Sequence, residues 1–206
     1  MPTLDLLQAC HRIKGFLDEA EGKALYRIAQ KAAGIGPCLE IGSYCGKSTA
    51  FIGLACKEKQ NIVFSVDHHQ GSEEQQPGEA YFDPQLFDYQ MYQVDTFRTF
   101  RQTIASLNLE DTVVPLVCRS EVAARKWQTR LGLVFIDGGH ALETVETDYQ
   151  VWSPHILPGG YLLFHDIFKN PNDGGQAPYT IYRQALSSGM FEAEPMIKTI
   201  GVLRRK

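Results

Sequence analysis

Cys38-Leu39-Glu40-Ile41-Gly42-Ser43-Tyr44-Cys45-Gly46-Lys47-Ser48-Thr49 changes character halfway along. Residues 37–41 suit a buried strand, and a helix is expected over 47–57 with Phe51, Ile52, Leu54 and Ala55 facing inward. Gly42, Ser43 and Gly46 mark the turn between them, where glycine lets the backbone bend sharply and approach a ligand with no Cβ in the way. The helix then aims its free N–H groups, and the positive end of its dipole, at whatever anionic group lies over the turn.

Spacing separates three readings of this turn. A phosphate-binding loop needs four residues between its first glycine and Gly46-Lys47-Ser48, but only three follow Gly42, and Ile41 stands at the required position. The dinucleotide fingerprint Gly-x-Gly-x-x-Gly fails at Tyr44 and Lys47. What remains is an acid at the strand end, Glu40, followed by Gly-x-x-x-Gly.

Working outward, residues 3–33 carry a helical stripe through Ala24, Leu25, Ile28, Ala29 and Ala32, stopped by Gly34 and Gly36. These N-terminal helices (1–36) cover the sheet, or serve as a lid or a dimer contact. A second strand over 61–66 ends on Asp67, placed either to accept hydrogen bonds from ribose hydroxyls or to cap a turn. His68 and His69 follow, and one of them is expected to be exposed. The composition then shifts over 70–95, which has no Lys or Arg and scatters Tyr81, Phe82, Phe87, Tyr89 and Tyr92 among acids. The stretch 68–96 is too long for an ordinary connection. Its aromatics either wall a substrate pocket, as a lid, or pack the loop down and meet another subunit. Helical spacing returns with Phe97, Phe100, Ile104 and Leu107.

A third strand over 112–117 leads to Ser120, a candidate for a polar ligand contact or for the cap of a helix over 121–127. The run 131–136 is the most apolar strand, as a central parallel strand should be. It ends in Asp137-Gly138-Gly139-His140, and a strand over 160–164 ends in His165-Asp166. Neighbouring strands therefore deliver Asp137, His140, His165 and Asp166 to the edge that holds the glycine turn. Four ionisable side chains at adjoining strand ends are costly to collect without a ligand. Beyond them, 169–178 reads as a mobile loop, 179–187 as a helix, and 191–197 with 199–204 as an antiparallel strand pair. The alternation of strand and helix before this pair predicts a parallel sheet.

The 206 residues suit a single α/β domain over 1–206 with modest insertions. A net charge of -4 provides no field to hold a phosphate backbone, so a small-molecule partner is expected and nucleic acid is not. The five cysteines at 10, 38, 45, 56 and 118 form no Cys-x-x-Cys pair and are odd in number, which reads as reduced thiols in a cytoplasm. No apolar run approaches the ~20 residues of a membrane span, and no leader pattern opens the chain, so a soluble, cytoplasmic protein without a membrane partner is expected.

The segment from Glu40 to Ser48, with the strand-end residues, resembles the class I S-adenosylmethionine (SAM)-dependent methyltransferases, and is similar to the same segment in catechol O-methyltransferases. The resemblance spans roughly 37–204. It implies a Rossmann-like, doubly wound, mostly parallel seven-stranded sheet with a C-terminal antiparallel hairpin and N-terminal helical cover. It further implies that Glu40 holds the methionine amino group and Ser48 its carboxylate, that Tyr44 lines the pocket, and that Gly42, Ser43 and Gly46 permit close approach. Asp67 would serve the ribose and Ser120 the adenine edge, with Asp137 bordering the cofactor. Asp137 and Asp166 match two metal-binding aspartates, and His140 falls where the catechol enzymes place a lysine base. Asp137 and His140 are thus the implied catalytic pair. Ile167 stands where those enzymes have an asparagine ligand, so His165 is the candidate third ligand. Macrolide- and cephamycin-type methyltransferases use two adjacent acids here, of which His165-Asp166 would be a variant.

The expectation is a SAM-dependent methyltransferase acting on a small molecule, an O-methyltransferase in which Mg²⁺ or Mn²⁺ orients the acceptor hydroxyl. A non-catalytic SAM-binding protein is the alternative that the ionisable cluster argues against. Another Rossmann-type nucleotide-dependent enzyme is the one that the failed dinucleotide fingerprint argues against. The acceptor has no readable code, and a homo-oligomer is left open.

Overall fold

A computed structural model describes residues 4–206, so Thr3, the first residue of the expected helical stretch, lies outside the described residues. Seven strands form the main sheet: β1 (Cys38–Ile41), β2 (Val63–Val66), β3 (Val113–Leu116), β4 (Leu131–Ile136), β5 (Ile156–Phe164), β6 (Phe191–Ile197) and β7 (Ile200–Arg205). Their order is β3-β2-β1-β4-β5-β7-β6. The first five run parallel, and β7 pairs antiparallel with both β5 and β6. The order reverses between β1 and β4, the switch point at which open α/β sheets bind ligands beyond their strands' carboxyl ends.

All six residues of β4 are buried because both its edges are paired and both its faces are covered. Leu133 and Phe135, with Leu163 of β5, face α2 (Glu19–Ala32) and α3 (Lys47–Glu58), where Leu25 and Phe51 complete one core. Val134 and Ile136, with Leu162 and Phe164, face α6 (Leu142–Trp152) and α7 (Ala177–Ser187), where Trp152 and Tyr182 complete the other. This alternation is the period of two that a strand imposes. α1 (Leu4–His11) precedes α2, and α4 (Phe97–Ser106) follows the long connection.

Two expected boundaries move by more than two residues. β5 starts at Ile156, not 160, because Ile156 pairs with Leu131 and a register shift then carries Leu157-Pro158-Gly159-Gly160 along the strand. The helix expected over 121–127 is the single turn α5 (Ser120–Ala123). Ser120 does not cap it. Arg119 is the N-cap residue and makes no side-chain cap bond, while the Ser120 hydroxyl accepts from Trp152 Nε1 at 2.7 Å.

The 68–96 stretch folds as two 3₁₀ turns (Glu73–Gln75 and Pro84–Leu86) and a short hairpin pairing Phe87–Asp88 with Gln93–Val94. Leu86 and Val94 are buried against Cys45, which anchors the stretch under the glycine turn. Phe87 gathers the rings of Phe82, Tyr89 and Tyr92, whereas Tyr89, Met91 and Tyr92 remain exposed at the tip. In the loop at 169–178, Gln176 Nε2 donates to the carbonyls of Phe168 and Gly174. All five cysteines are free thiols, and among the described residues no helix is long and apolar enough to cross a membrane.

Candidate active site

The ends of three parallel strands are laced together at the glycine turn. Gly42 N donates to Val66 O and Asp137 N to Ile41 O. Gly42 sits at φ +83°, and a Cβ on it would lie 2.2 Å from the Asp137 carbonyl oxygen, so no other residue fits between β1 and β4. Gly46, at φ +88°, starts α3 without a side-chain cap, which leaves the helix N–H groups open toward the turn. Tyr44 also takes a positive φ, +46°. Asp67 holds that conformation: one carboxylate oxygen accepts from Ser43 N and Tyr44 N at 2.9 and 2.8 Å, and the other from His69 N at 2.7 Å.

Glu40 lies under this turn with no exposed surface. Its Oε2 accepts from the hydroxyls of Thr49 and Ser65, while among the described residues Oε1 and the nearby Ser43 hydroxyl have no partner. Burial pushes the Glu40 carboxyl up to about 7, against hydrogen bonds from hydroxyls that hold it down. An unpartnered carboxylate oxygen in a closed site is poised for a cationic donor.

Two strands across, just past β5, His165 is buried between three carboxylates. Its Nδ1 lies 3.0 Å from Asp137 Oδ1 and 3.4 Å from Asp166 Oδ2, and its Nε2 lies 3.3 Å from Glu21 Oε2 on α2. Burial alone would lower its pKa, but Asp137, Asp166 and Glu21 raise it well above the usual histidine range. Asp166 holds φ +56°, a conformation that costs a non-glycine residue ~1–3 kcal/mol. Burial would raise its carboxyl, but hydrogen bonds from His140 and His165 hold it low. His140 Nε2 meets Asp166 Oδ2 at 3.0 Å, and its Nδ1 lies 3.5 Å from Glu74 of the 68–96 stretch. Asp166 chiefly, and then Glu74, raise the His140 pKa. The Asp137 carboxyl is raised by burial, opposed by His165.

The 68–96 stretch and the segment before α2 meet over this edge. Glu74 reaches His140, Tyr81 packs on Phe16 at 5.4 Å, Phe16 packs on Tyr44 at 5.6 Å, and Lys14 pairs with Asp83. Between them lies an open cavity of about 420 Å³ lined by Phe16, Tyr44, Tyr81 and Phe82.

A family of methyltransferase domains matches residues 39–167, more than half of the 206 residues. The chain belongs to this family. Solved structures share the methyltransferase's fold at low identity. A putative caffeoyl-CoA O-methyltransferase from Staphylococcus aureus superposes with a TM-score of 0.66 at 10% identity, covering 100% of this chain and 93% of the other. An O-methyltransferase from Bacillus cereus in complex with SAH gives 0.65 at 14%, covering 98% and 88%. TomG from Streptomyces achromogenes, an O-methyltransferase of tomaymycin synthesis in complex with SAM, gives 0.65 at 13%, covering 100% and 89%. Fold and family together make the chain a class I SAM-dependent methyltransferase.

Most of the residues singled out in the methyltransferase's sequence gather at this edge, with differences of detail. Glu40, Gly42, Ser43, Tyr44, Gly46, Ser48 and Asp67 form the turn and its support. The Asp67 carboxylate pins the turn through the N–H groups of Ser43, Tyr44 and His69, as the capping alternative has it. Ser120 lies at the end of β3 with its hydroxyl on Trp152. His68 is the exposed histidine, while His69 is buried on Thr96 between Phe97 and Phe100. Asp137, His140, His165 and Asp166 meet as one cluster. Glu21, Glu74 and Phe16 were missed. Asp18-x-x-Glu21 is a legible helix-capping pattern, but nothing in it points 144 positions ahead to His165.

The donor set fits a divalent cation: Asp137, His165 and Asp166 each offer one ligand atom, all within 4.8 Å of one another. Two carboxylates with one imidazole suit Mn²⁺ and related first-row ions somewhat better than Mg²⁺. The unpartnered Glu40 Oε1 beneath a cradle that a Cβ would fill fits an amino-acid-bearing cofactor equally well.

Proposed function

We propose that this methyltransferase transfers the methyl group of SAM to a hydroxyl of a small molecule, with Mg²⁺ or Mn²⁺ orienting that hydroxyl. The observation that carries the reading is the meeting of Asp137, His165 and Asp166 at strand ends next to the glycine turn. Bound SAM supplies an activated methyl group, so alignment matters more than acid–base power. A bound cation lowers the pKa of an acceptor hydroxyl. Glu40 Oε1 would receive the methionine ammonium, Ser48 lies at the open N-terminus of α3 where the carboxylate would sit, and Asp67 keeps the turn rigid with acceptor capacity left for a ribose. Asp137, His165 Nδ1 and Asp166 would hold the cation, and His140, its Nε2–H on Asp166, would take the hydroxyl proton at Nδ1. The 420 Å³ cavity is of small-molecule size. Residues 68–96 act as a lid on the same domain, with Tyr81 and Phe82 against the acceptor.

Methyl transfer from labelled SAM to a panel of small hydroxylated acceptors tests this. Transfer is expected to stop with chelator and return with Mg²⁺ or Mn²⁺. His140→Gln is expected to lower kcat by roughly 10²- to 10⁴-fold with SAM affinity little changed. Chelator-insensitive transfer, or transfer to amines alone, would contradict the reading.

A further inference from the structure

Resting on the reading of Asp137, His165 and Asp166 as a cation site, we propose that Glu21 is the positioning residue that sets which nitrogen of His165 faces that site. Glu21 belongs to the N-terminal cover, yet it is 3% exposed and all four of its contacts are made by donors. Its Oε1 accepts from Thr199 N at 2.9 Å and Thr199 Oγ1 at 2.7 Å. Its Oε2 accepts from Asp18 N at 3.1 Å and lies 3.3 Å from His165 Nε2.

A carboxylate can only accept. His165 therefore carries a hydrogen on Nε2 and, without a cation, one on Nδ1 as well, since Nδ1 faces Asp137 and Asp166; a cation held there replaces the Nδ1 hydrogen and leaves Nε2–H on Glu21. A histidine ligand is commonly fixed by a carboxylate on its other nitrogen, and loss of such a partner typically lowers metal affinity 10- to 100-fold. Thr199 makes the arrangement directional. Its N–H and O–H both point at Oε1, so a glutamine in place of Glu21 that keeps its carbonyl oxygen there puts its NH₂ opposite His165 Nε2 and Asp18 N. That NH₂ cannot accept from Nε2–H. The neutral ring must then carry its hydrogen on Nδ1, where it blocks the lone pair that a cation needs. Glu21→Gln keeps the shape of the side chain and gives up the Asp18 N–H bond at the start of α2, and it reverses the tautomer.

The test combines Mn²⁺ titration by calorimetry with long-range ¹H–¹⁵N spectra of the histidine rings in the Mg²⁺-loaded protein. Wild type is expected to bind Mn²⁺, to lose it in Asp166→Asn, and to show His165 protonated at Nε2. In Glu21→Gln, Mn²⁺ affinity falls 10- to 100-fold, the hydrogen moves to Nδ1, and SAM affinity stays within about threefold of wild type. Unchanged Mn²⁺ affinity in Glu21→Gln would overturn the role of Glu21 and leave the cation site standing. No Mn²⁺ binding by wild type would remove the cation site, and with it this inference. Should Glu21→Gln not fold, the wild-type spectrum decides: a hydrogen on Nδ1 of His165 overturns the proposal.

Discussion

Asp166→Ala is expected to lower kcat/KM for methyl transfer on the order of 10³-fold while SAM affinity stays within about threefold of wild type. Cation-assisted stabilisation of a developing charge is worth several kcal/mol, and each ~1.4 kcal/mol is tenfold in rate. Asp166 concentrates that contribution because it touches both histidines of the cluster, His140 at 3.0 Å and His165 at 3.4 Å. Its removal leaves His140 without its first partner. It also leaves the His165 ring held by Asp137 and Glu21 alone. Alanine keeps the backbone at a positive φ, so part of any stability loss is backbone strain. Asp166→Asn separates the two, since it retains a side chain that can hydrogen-bond locally and loses only the charge. Initial rates and calorimetric SAM titrations on both variants give the measurement. Retained activity in Asp166→Asn would remove the carboxylate from the mechanism.

Glu40→Gln is expected to weaken SAM binding by roughly 10²- to 10³-fold at pH 8, as losing one partner of a buried charged pair costs about 2–5 kcal/mol. The same substitution should stabilise the SAM-free protein. Burial raises the Glu40 carboxyl from 4.5 to about 7 in the folded chain. For an acid with a raised folded pKa, no penalty exists below the unfolded pKa. It then grows as pH climbs through the folded one, reaching on the order of 3 kcal/mol. Glutamine never ionises, so the stability gap between variant and wild type should open between pH 5 and 8. Wild-type SAM affinity should rise roughly tenfold from pH 6 to 8 as Glu40 ionises, and the variant should lack that slope. Denaturant midpoints and SAM titrations at both pH values check it. Equal SAM affinity in the two proteins would show that Glu40 does not meet the cofactor.

The sheet was legible because its signals are local. Leu131–Ile136 is six apolar residues in a row, and a strand paired and covered on every side requires that. The strand–helix alternation sets a parallel sheet, and strand-end acids place the site at the switch point. The turn was legible for the same reason, since Gly42 must sit where a Cβ would strike Asp137. What escaped were contacts whose two halves lie far apart in the chain. Glu21 and His165 are separated by 144 positions, and each alone fits an ordinary role, helix capping for one and a strand terminus for the other. Glu74 is one acid among several in a stretch without periodicity, so its approach to His140 left no pattern to read. The Ser120 contact was hidden for a related reason: its partner Trp152 sits 32 positions away on α6. The start of β5 was hidden because Pro158 and two glycines mask the pairing of Ile156 with Leu131.

The most direct measurement is a crystal structure of the protein with SAM and Mn²⁺, recorded at a wavelength where manganese scatters anomalously. One anomalous peak is expected within roughly 2.5 Å of Asp137, His165 Nδ1 and Asp166, with the methionine ammonium of SAM on Glu40 Oε1. An anomalous map with no peak at that edge, His165 still bonded to Asp137 and Asp166, and SAM bound away from the glycine turn would contradict it.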